Sequence, residues 1–150
     1  MGYSFVVLGE HDASFFQMCS SQYPIKLHTQ IAGDLGEKMS HAIQYMLNDY
    51  EKVCIIGSDC PVLDINKIRK VFSQLNVKED VVVTPAEDGG YVLMAVRKQL
   101  DPDVFIGTRW GGDDVFQHTI NNLQSLKLNP VIQPTLWDID TPEDLNRIQI

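Results

Sequence analysis

The chain has 150 residues, of which 44% are hydrophobic, and this is enough apolar material for the core of one domain spanning 1–150. Twenty acidic residues against twelve basic ones give a formal net charge of −8, which argues against nucleic acid and anionic membrane as partners, because both need a basic surface. We find neither a basic-then-apolar leader nor a long apolar run, so we expect a cytoplasmic protein without a spanning helix.

Cysteine usage fits a reducing compartment. The three cysteines, Cys19, Cys54 and Cys60, are odd in number and lack C-x-x-C spacing, and Cys54 lies within an apolar stretch. We therefore expect reduced thiols, rather than a disulfide framework or a zinc site. The four histidines are scattered without the spacing of metal ligands, so we expect none of them to bind a metal ion.

Apolar runs and helical spacings alternate along the chain. In chain order they predict a strand at 3–9, a helix at 13–23, a strand at 25–30, a loop at 33–36, a helix at 39–50, a strand at 53–56, a helix at 65–75, strands at 81–83 and 91–96, a helix at 113–126, a strand from 131 and a last helix from 141. Strands that alternate with helices are typical of the α/β class. We therefore predict a three-layer α/β/α fold with a mostly parallel sheet covered on both faces.

The stretch 53–61, VCIIGSDCP, is the centre of this prediction. Four apolar residues, too few for a helix, run directly into Gly57, Ser58 and Asp59, which is typical of a buried strand that ends in a loop. In an open α/β sheet, ligands bind beyond the carboxyl ends of the strands, so Asp59 is a candidate site residue. The alternative is that Asp59 only makes a turn or caps the next helix, since Asp and Ser are common turn residues.

Acidic residues follow several of the predicted strands. They are Asp59, the pair Glu87 and Asp88, and the pair Asp138 and Asp140. If the strand ends lie along one edge of the sheet, several of these carboxylates converge near one crevice. Carboxylates gathered in this way repel one another, and oxygen-rich sites suit Mg²⁺ or Mn²⁺. The alternative is that these acids belong to ordinary turns and helix starts, a role that would suffice for Asp138.

Four short segments in register carry a family resemblance. They are Gly33–Met39 (GDLGEKM), Gly57–Pro61 (GSDCP), Pro85–Tyr91 (PAEDGGY) and Trp137–Leu145 (WDIDTPEDL). Together they resemble a bacterial family of uncharacterised type-A glycosyltransferase-like proteins. That family is similar to the nucleotidyltransferases that make molybdenum guanine dinucleotide and that activate phospholactate, within the nucleotide-diphospho-sugar transferase fold. The resemblance covers about 5–148.

The resemblance implies a site for a nucleotide or nucleotide-sugar with Mg²⁺ or Mn²⁺. Asp59 matches the first metal-binding aspartate of the fold and Asp140 the second carboxylate, and both would be catalytic. The substrate-binding residues that it implies are Gly57, Ser58, Glu87, Asp88, Gly89 and Gly90, with Asp34 in the glycine-containing loop. Such a metal bridges phosphate oxygens and neutralises leaving-group charge, while the protein contributes positioning and electrostatics.

The chain departs from the family pattern at its N-terminus. Members of the fold open with a strand and a glycine-rich basic loop that holds the nucleotide phosphates, and this chain is expected to be shortened by that unit. The missing strand would be the central one, beside 53–57. We therefore expect 5–9 to pair there, or a second copy in a homodimer to cover the opening, because an unpaired central edge exposes backbone donors and acceptors.

Two main functions remain open on the sequence. The first is a transferase acting on a nucleotide-linked substrate, and the second is a non-catalytic relative that binds a small ligand or serves in assembly. A haloacid-dehalogenase-type phosphatase is a weaker alternative, because Pro142 stands where its D-x-D motif needs Thr or Val. A receiver domain with Asp59 as the phosphoacceptor is another alternative, but such domains gather acids near the N-terminus and this chain has none before Glu10. Arg109, at the start of a predicted helix, either contacts a phosphate or is solvated.

Overall fold

The computed structural model describes residues 13–148, which fall into two compact units divided after Asp34. In the first unit, helix α1 spans Ala13–Gln22, as predicted. The predicted strand at 25–30 is wrong, because those residues are irregular. Alternating polarity favours a strand only where a neighbouring strand supplies a hydrogen-bonding ladder. The predicted strand at 3–9 lies outside the described residues, and the single domain stays a prediction.

The second unit contains the remaining elements. They are α2 (Leu35–Met46), β1 (Val53–Ile56), α3 (Ile65–Gln74), β2 (Val81–Pro85), β3 (Tyr91–Val96), a 3₁₀ turn (Pro102–Val104), α4 (Val115–Ser125), β4 (Val131–Ile132) and a final 3₁₀ helix (Pro142–Arg147). Helix α2 begins earlier than predicted and includes Leu35 and Gly36, which we had assigned to a loop, because Gly36 packs as a buried helical residue. The final element is a 3₁₀ helix, with Ile148 N–H donating to the Leu145 carbonyl.

One four-stranded sheet orders its strands β1-β3-β2-β4. Strand β3 runs antiparallel to both β1 and β2, while β4 runs parallel to β2. Consequently β1, β2 and β4 point the same way and their carboxyl ends share one edge. The mostly parallel arrangement is not confirmed, since two of the three pairings in this sheet are antiparallel. A short turn after β2 lets β3 return between β1 and β2, and the sequence pattern did not predict that position.

Each face of the sheet supports a separate apolar cluster. Val83 and Met94 point to the cluster that α2 and α4 cover, whereas Val82 and Leu93 point to the cluster that α3 covers. Strands β2 and β3 are therefore buried almost throughout, which explains their almost continuous apolar sequence, interrupted by Thr84. The α/β class is confirmed, and the three-layer arrangement stays a prediction.

The outer edge of β1 is relevant to the expected N-terminal pairing. Within 13–148, β1 pairs on one side only, with β3. The pairing of 5–9 beside β1 falls outside the described residues, so it stays a prediction. No helix in the described part of the chain is long and apolar enough to cross a bilayer.

Candidate metal and substrate site

Three carboxylates converge at the carboxyl edge of the sheet. One oxygen from each of Asp88, Asp138 and Asp140 lies within 4.8 Å of the others. Asp88 belongs to the turn after β2, and the other two belong to the extended segment after β4. Because β2 and β4 run parallel, their ends meet, and Leu136 N–H donates to the Pro85 carbonyl at 2.9 Å. The predicted convergence of acids from separate strand ends is therefore observed.

The turn that carries Asp88 is fixed by its own hydrogen bonds. Gly90 N–H donates to Asp88 Oδ1 at 2.8 Å, and Ala86 N–H donates to the Gly90 carbonyl at 3.0 Å. Gly89 N–H donates to the Ala86 carbonyl at 3.4 Å. The N–H groups of both glycines are thus engaged within the turn, so its backbone serves first to orient Asp88.

Gly89 also anchors this turn to the start of α4. Its φ is +94°, and a Cβ there would lie 2.0 Å from the Asp113 carbonyl oxygen. Its own carbonyl accepts a hydrogen bond from Phe116 N–H at 2.8 Å. Only glycine combines this backbone conformation with so close an approach, which explains the glycine at position 89.

Asp59 lies at the same edge but outside the triad. Its main-chain carbonyl accepts a hydrogen bond from Ile139 N–H at 2.9 Å, which joins the loop after β1 to the segment that bears Asp138 and Asp140. Its carboxylate folds back over Gly57, where an added Cβ would lie 2.7 Å from Oδ1. The charge of Asp59 still acts on both Asp138 and Asp140.

Electrostatics at the triad are those of crowded like charges. Partial burial, followed by the charges of Asp88, Asp140 and Asp59, raises the pKa of Asp138 to about 6. The pKa of Asp140 is also raised, first by desolvation and then by Asp88, with smaller effects of other neighbouring carboxylates. A divalent cation would relieve this repulsion, because it favours the ionised form of every carboxylate around it.

Other predicted site residues have different surroundings. Glu87 is ion-paired with Arg147, at 2.8 Å between Oε2 and Nη1. Ser58 is exposed in the loop after β1, and Arg109 is exposed in the loop before α4, neither belonging to the triad. Asp34 ends the first unit.

The sequence analysis placed Asp138 among the acids expected to converge, but it judged a turn or capping role sufficient for this residue and named only Asp59 and Asp140 as metal ligands. The signal that would have identified it is the D-x-D spacing in an extended segment, where residues i and i+2 lie on one side of the chain. Capping is instead the role of Asp144, whose Oδ2 accepts hydrogen bonds from the Thr141 N–H and hydroxyl, both at 2.9 Å.

Comparison with known proteins adds independent findings. A family profile described as "Uncharacterized protein conserved in bacteria (DUF2064)" matches residues 4–112. The 2-phospho-L-lactate guanylyltransferase of Methanobrevibacter smithii is 25% identical over 118 residues, which make up 77% of this chain and 50% of that protein. A crystal structure of a provisionally assigned nucleotide-diphospho-sugar transferase from Desulfovibrio desulfuricans G20 superposes with a TM-score of 0.83 and 35% identity. That match covers 95% of this chain and 63% of the solved chain, so the chain spans between half and two thirds of these relatives.

Proposed function

The chain belongs to the DUF2064 family, and from that premise we propose that it is a nucleotidyl- or glycosyltransferase acting on a nucleotide or nucleotide-sugar with a bound divalent metal ion. The observation that carries this proposal is the triad of carboxylates within 4.8 Å. The likeness to a guanylyltransferase and to a nucleotide-diphospho-sugar transferase supports transfer chemistry on a nucleotide-linked substrate.

The donor set of the triad fits Mg²⁺ or Mn²⁺. All three groups are carboxylates, and hard divalent cations prefer oxygen ligands. Oxygens on opposite sides of an octahedral Mg²⁺ lie roughly 4.2 Å apart, from bonds of about 2.1 Å. Only one pair among three ligands can lie opposite each other, and neighbouring oxygens lie roughly 3.0 Å apart. The triad oxygens, which lie within 4.8 Å of one another, would therefore move closer together when an ion binds. An ion held by Asp88, Asp138 and Asp140 would supply positive charge that offsets the negative charge of the phosphates and of the leaving group.

Each residue of the site has a separate proposed role. Asp140 keeps its predicted metal-binding role, and Asp88 and Asp138 join it. Asp59 is exposed beside them and keeps its proposed role at the metal and substrate. Gly89 holds the turn that orients Asp88. Together these residues form a negative surface at the sheet edge that would hold a cation facing the phosphates of the substrate.

Calorimetric titration tests this proposal directly. Mn²⁺ is titrated into wild type, then nucleoside triphosphates, nucleoside diphosphates and nucleotide-sugars with and without Mn²⁺. We expect metal-dependent binding that Asp140→Asn loses. Asp49→Asn is the matched control, because Asp49 is an exposed acid in the turn after α2. Absence of binding by folded wild type, or equal binding by Asp140→Asn, would contradict the proposal and favour a non-catalytic ligand-binding or assembly protein.

The surroundings of β1 complete the proposal. We expect residues 5–9 or a second copy to cover its outer edge, in a three-layer cytoplasmic enzyme whose strands mostly point the same way. Light scattering across a range of protein concentrations distinguishes the two arrangements. A dimer supports cover by a second copy, whereas a monomer at every concentration leaves 5–9 as the covering segment.

A further inference from the structure

The guanidinium of Arg147 joins two segments that are distant in sequence. Its Nη1 donates to Glu87 Oε2 at 2.8 Å, and its Nη2 donates to Glu87 Oε1 at 3.0 Å, across 60 residues of sequence. Its Cζ lies 4.4 Å from the centre of the Trp137 ring, within cation–π range. Both oxygens of Glu87 are therefore engaged in a bidentate pair, the geometry that arginine favours with carboxylates.

Each partner of Arg147 is the immediate neighbour of a triad carboxylate. Glu87 precedes Asp88, and Trp137 precedes Asp138. The contacts of Arg147 thus reach both segments that supply the triad, one residue away from it on each side.

A further contact extends this linkage to the far end of the triad. Arg147 Nη1 lies 3.6 Å from Asp144 Oδ1. The other carboxylate oxygen of Asp144 accepts hydrogen bonds from the main-chain N–H groups of Asp140 and Thr141, at 3.3 and 2.9 Å. The backbone that follows Asp140 is therefore connected to the same arginine.

We propose that the Glu87–Arg147 pair, seated on Trp137, is a positioning clamp that holds the turn bearing Asp88 against the segment bearing Asp138 and Asp140 at metal-binding spacing. Repulsion among the three carboxylates tends to separate these segments, and the clamp opposes it. This inference rests on the proposed function for its consequence, metal affinity, but the clamp itself is tested separately below. It also gives Glu87 a positioning role rather than contact with substrate.

Replacing Arg147 distinguishes a positioning role from a purely electrostatic one, because the two effects change the Mn²⁺ affinity in opposite directions. Arg147→Gln removes a positive charge near the site, which by itself would strengthen Mn²⁺ binding. Loss of positioning weakens it instead. Outer-shell residues at metal sites typically contribute 10- to 100-fold in affinity. The side chains of Arg147 and Glu87 are 40% and 55% exposed, and exposed ion pairs contribute less than buried ones. We therefore expect Arg147→Gln to bind Mn²⁺ about fivefold to tenfold more weakly than wild type.

The experiment compares wild type with Arg147→Gln, Arg147→Lys and Lys67→Gln. The control variant breaks another exposed ion pair, Lys67 with Asp64 at 2.8 Å on α3. Arg147→Lys keeps the charge but loses the bidentate geometry, so we expect it to recover only part of the Mn²⁺ affinity. Calorimetry gives each dissociation constant, and Lys67→Gln should match wild type.

Hydrogen exchange tests the clamp without any metal. In Arg147→Gln we expect faster exchange of the Gly90 amide, which donates to Asp88, and unchanged exchange in β2 and β3. If wild type binds no Mn²⁺, the proposed function fails, and the clamp is then tested by hydrogen exchange alone. Unchanged exchange at Gly90 overturns the clamp, as does unchanged or tighter Mn²⁺ binding by Arg147→Gln.

Discussion

Replacing Asp138 with asparagine is expected to stabilise the metal-free protein at neutral pH. In the folded state, partial burial and the neighbouring carboxylates raise the pKa of Asp138 from 3.8 to about 6. Each unit corresponds to about 1.4 kcal/mol, so ionised Asp138 lowers the free energy of unfolding by at most about 3 kcal/mol. The side chain is only partly buried, and solvent screening reduces this to roughly 1–2 kcal/mol.

The effect of Asp138 on the free energy of unfolding depends on pH. Because the folded-state pKa lies above the unfolded value, the folded protein binds the Asp138 proton more tightly at intermediate pH. The contribution of Asp138 to stability is therefore intact below the unfolded pKa and is lost as the pH rises through about 6. Asp138→Asn removes this dependence, so its advantage over wild type should be full near pH 7.5 and small near pH 4.

Thermal and urea unfolding with EDTA measure the effect. For a chain of this size, 1–2 kcal/mol corresponds to a rise in Tm of roughly 2–8 °C. Asp49→Asn, an exposed acid after α2, is the control and should leave Tm nearly unchanged. An Asp138→Asn variant no more stable than wild type near pH 7.5, or equally more stable at both pH values, would refute the reasoning. With saturating Mn²⁺ we expect wild type to gain stability that the variant does not.

Three further predictions concern the scaffold and its thiols. Gly89→Ala should destabilise the protein by about 1–3 kcal/mol or more in urea unfolding, since its φ is +94° and the new Cβ would meet the Asp113 carbonyl oxygen, whereas Gly111→Ala, with φ +82° and open space, should cost less. Leu123→Ala should lower the unfolding free energy by about 2–5 kcal/mol, because Leu123 is fully buried against the sheet. Burial raises the pKa of Cys54 to about 12, so iodoacetamide labelling near pH 8 should leave Cys54 unmodified in the folded protein and label it after unfolding.

Most helices and strands of the second unit could be predicted from the sequence, because their hydrophobic patterns are strong. Val81–Pro85 is apolar except for Thr84, and Tyr91–Val96 is a continuous run of aromatic and apolar residues. Helix α3 carries one apolar face with Asp64 as its N-cap, whose side chain accepts hydrogen bonds from the Asn66 and Lys67 amides. The order of the strands in the sheet was harder to predict from the sequence. It depends on the turn of Gly89, which returns β3 between two strands that are distant in sequence, and no local pattern encodes that neighbour relation.

The sequence predicted the sheet edge at which the candidate site lies, but not which carboxylates would come together there. Acids after β1, after β2 and beyond β4 lie at one edge of the sheet because those strands point the same way. Which carboxylates approach one another depends on side-chain direction. Asp59 folds back over Gly57, whereas Asp138 turns toward Asp88 because its extended segment lies beside the turn after β2. Glu87, next to Asp88, is instead paired with an arginine 60 residues away.

The distribution of charge at this edge favours the proposed metal site over a set of incidental surface acids. Arg147 lies at the same edge, yet it pairs with Glu87 and Asp144, and not with the triad. Carboxylates dominate the charges that act on Asp138 and Asp140, and both side chains have raised pKa values. A cluster selected for stability alone would place the arginine where it offsets the most repulsion. Here Arg147 pairs beside the triad and leaves the charge of the triad uncompensated, a pattern that supports the proposed metal site.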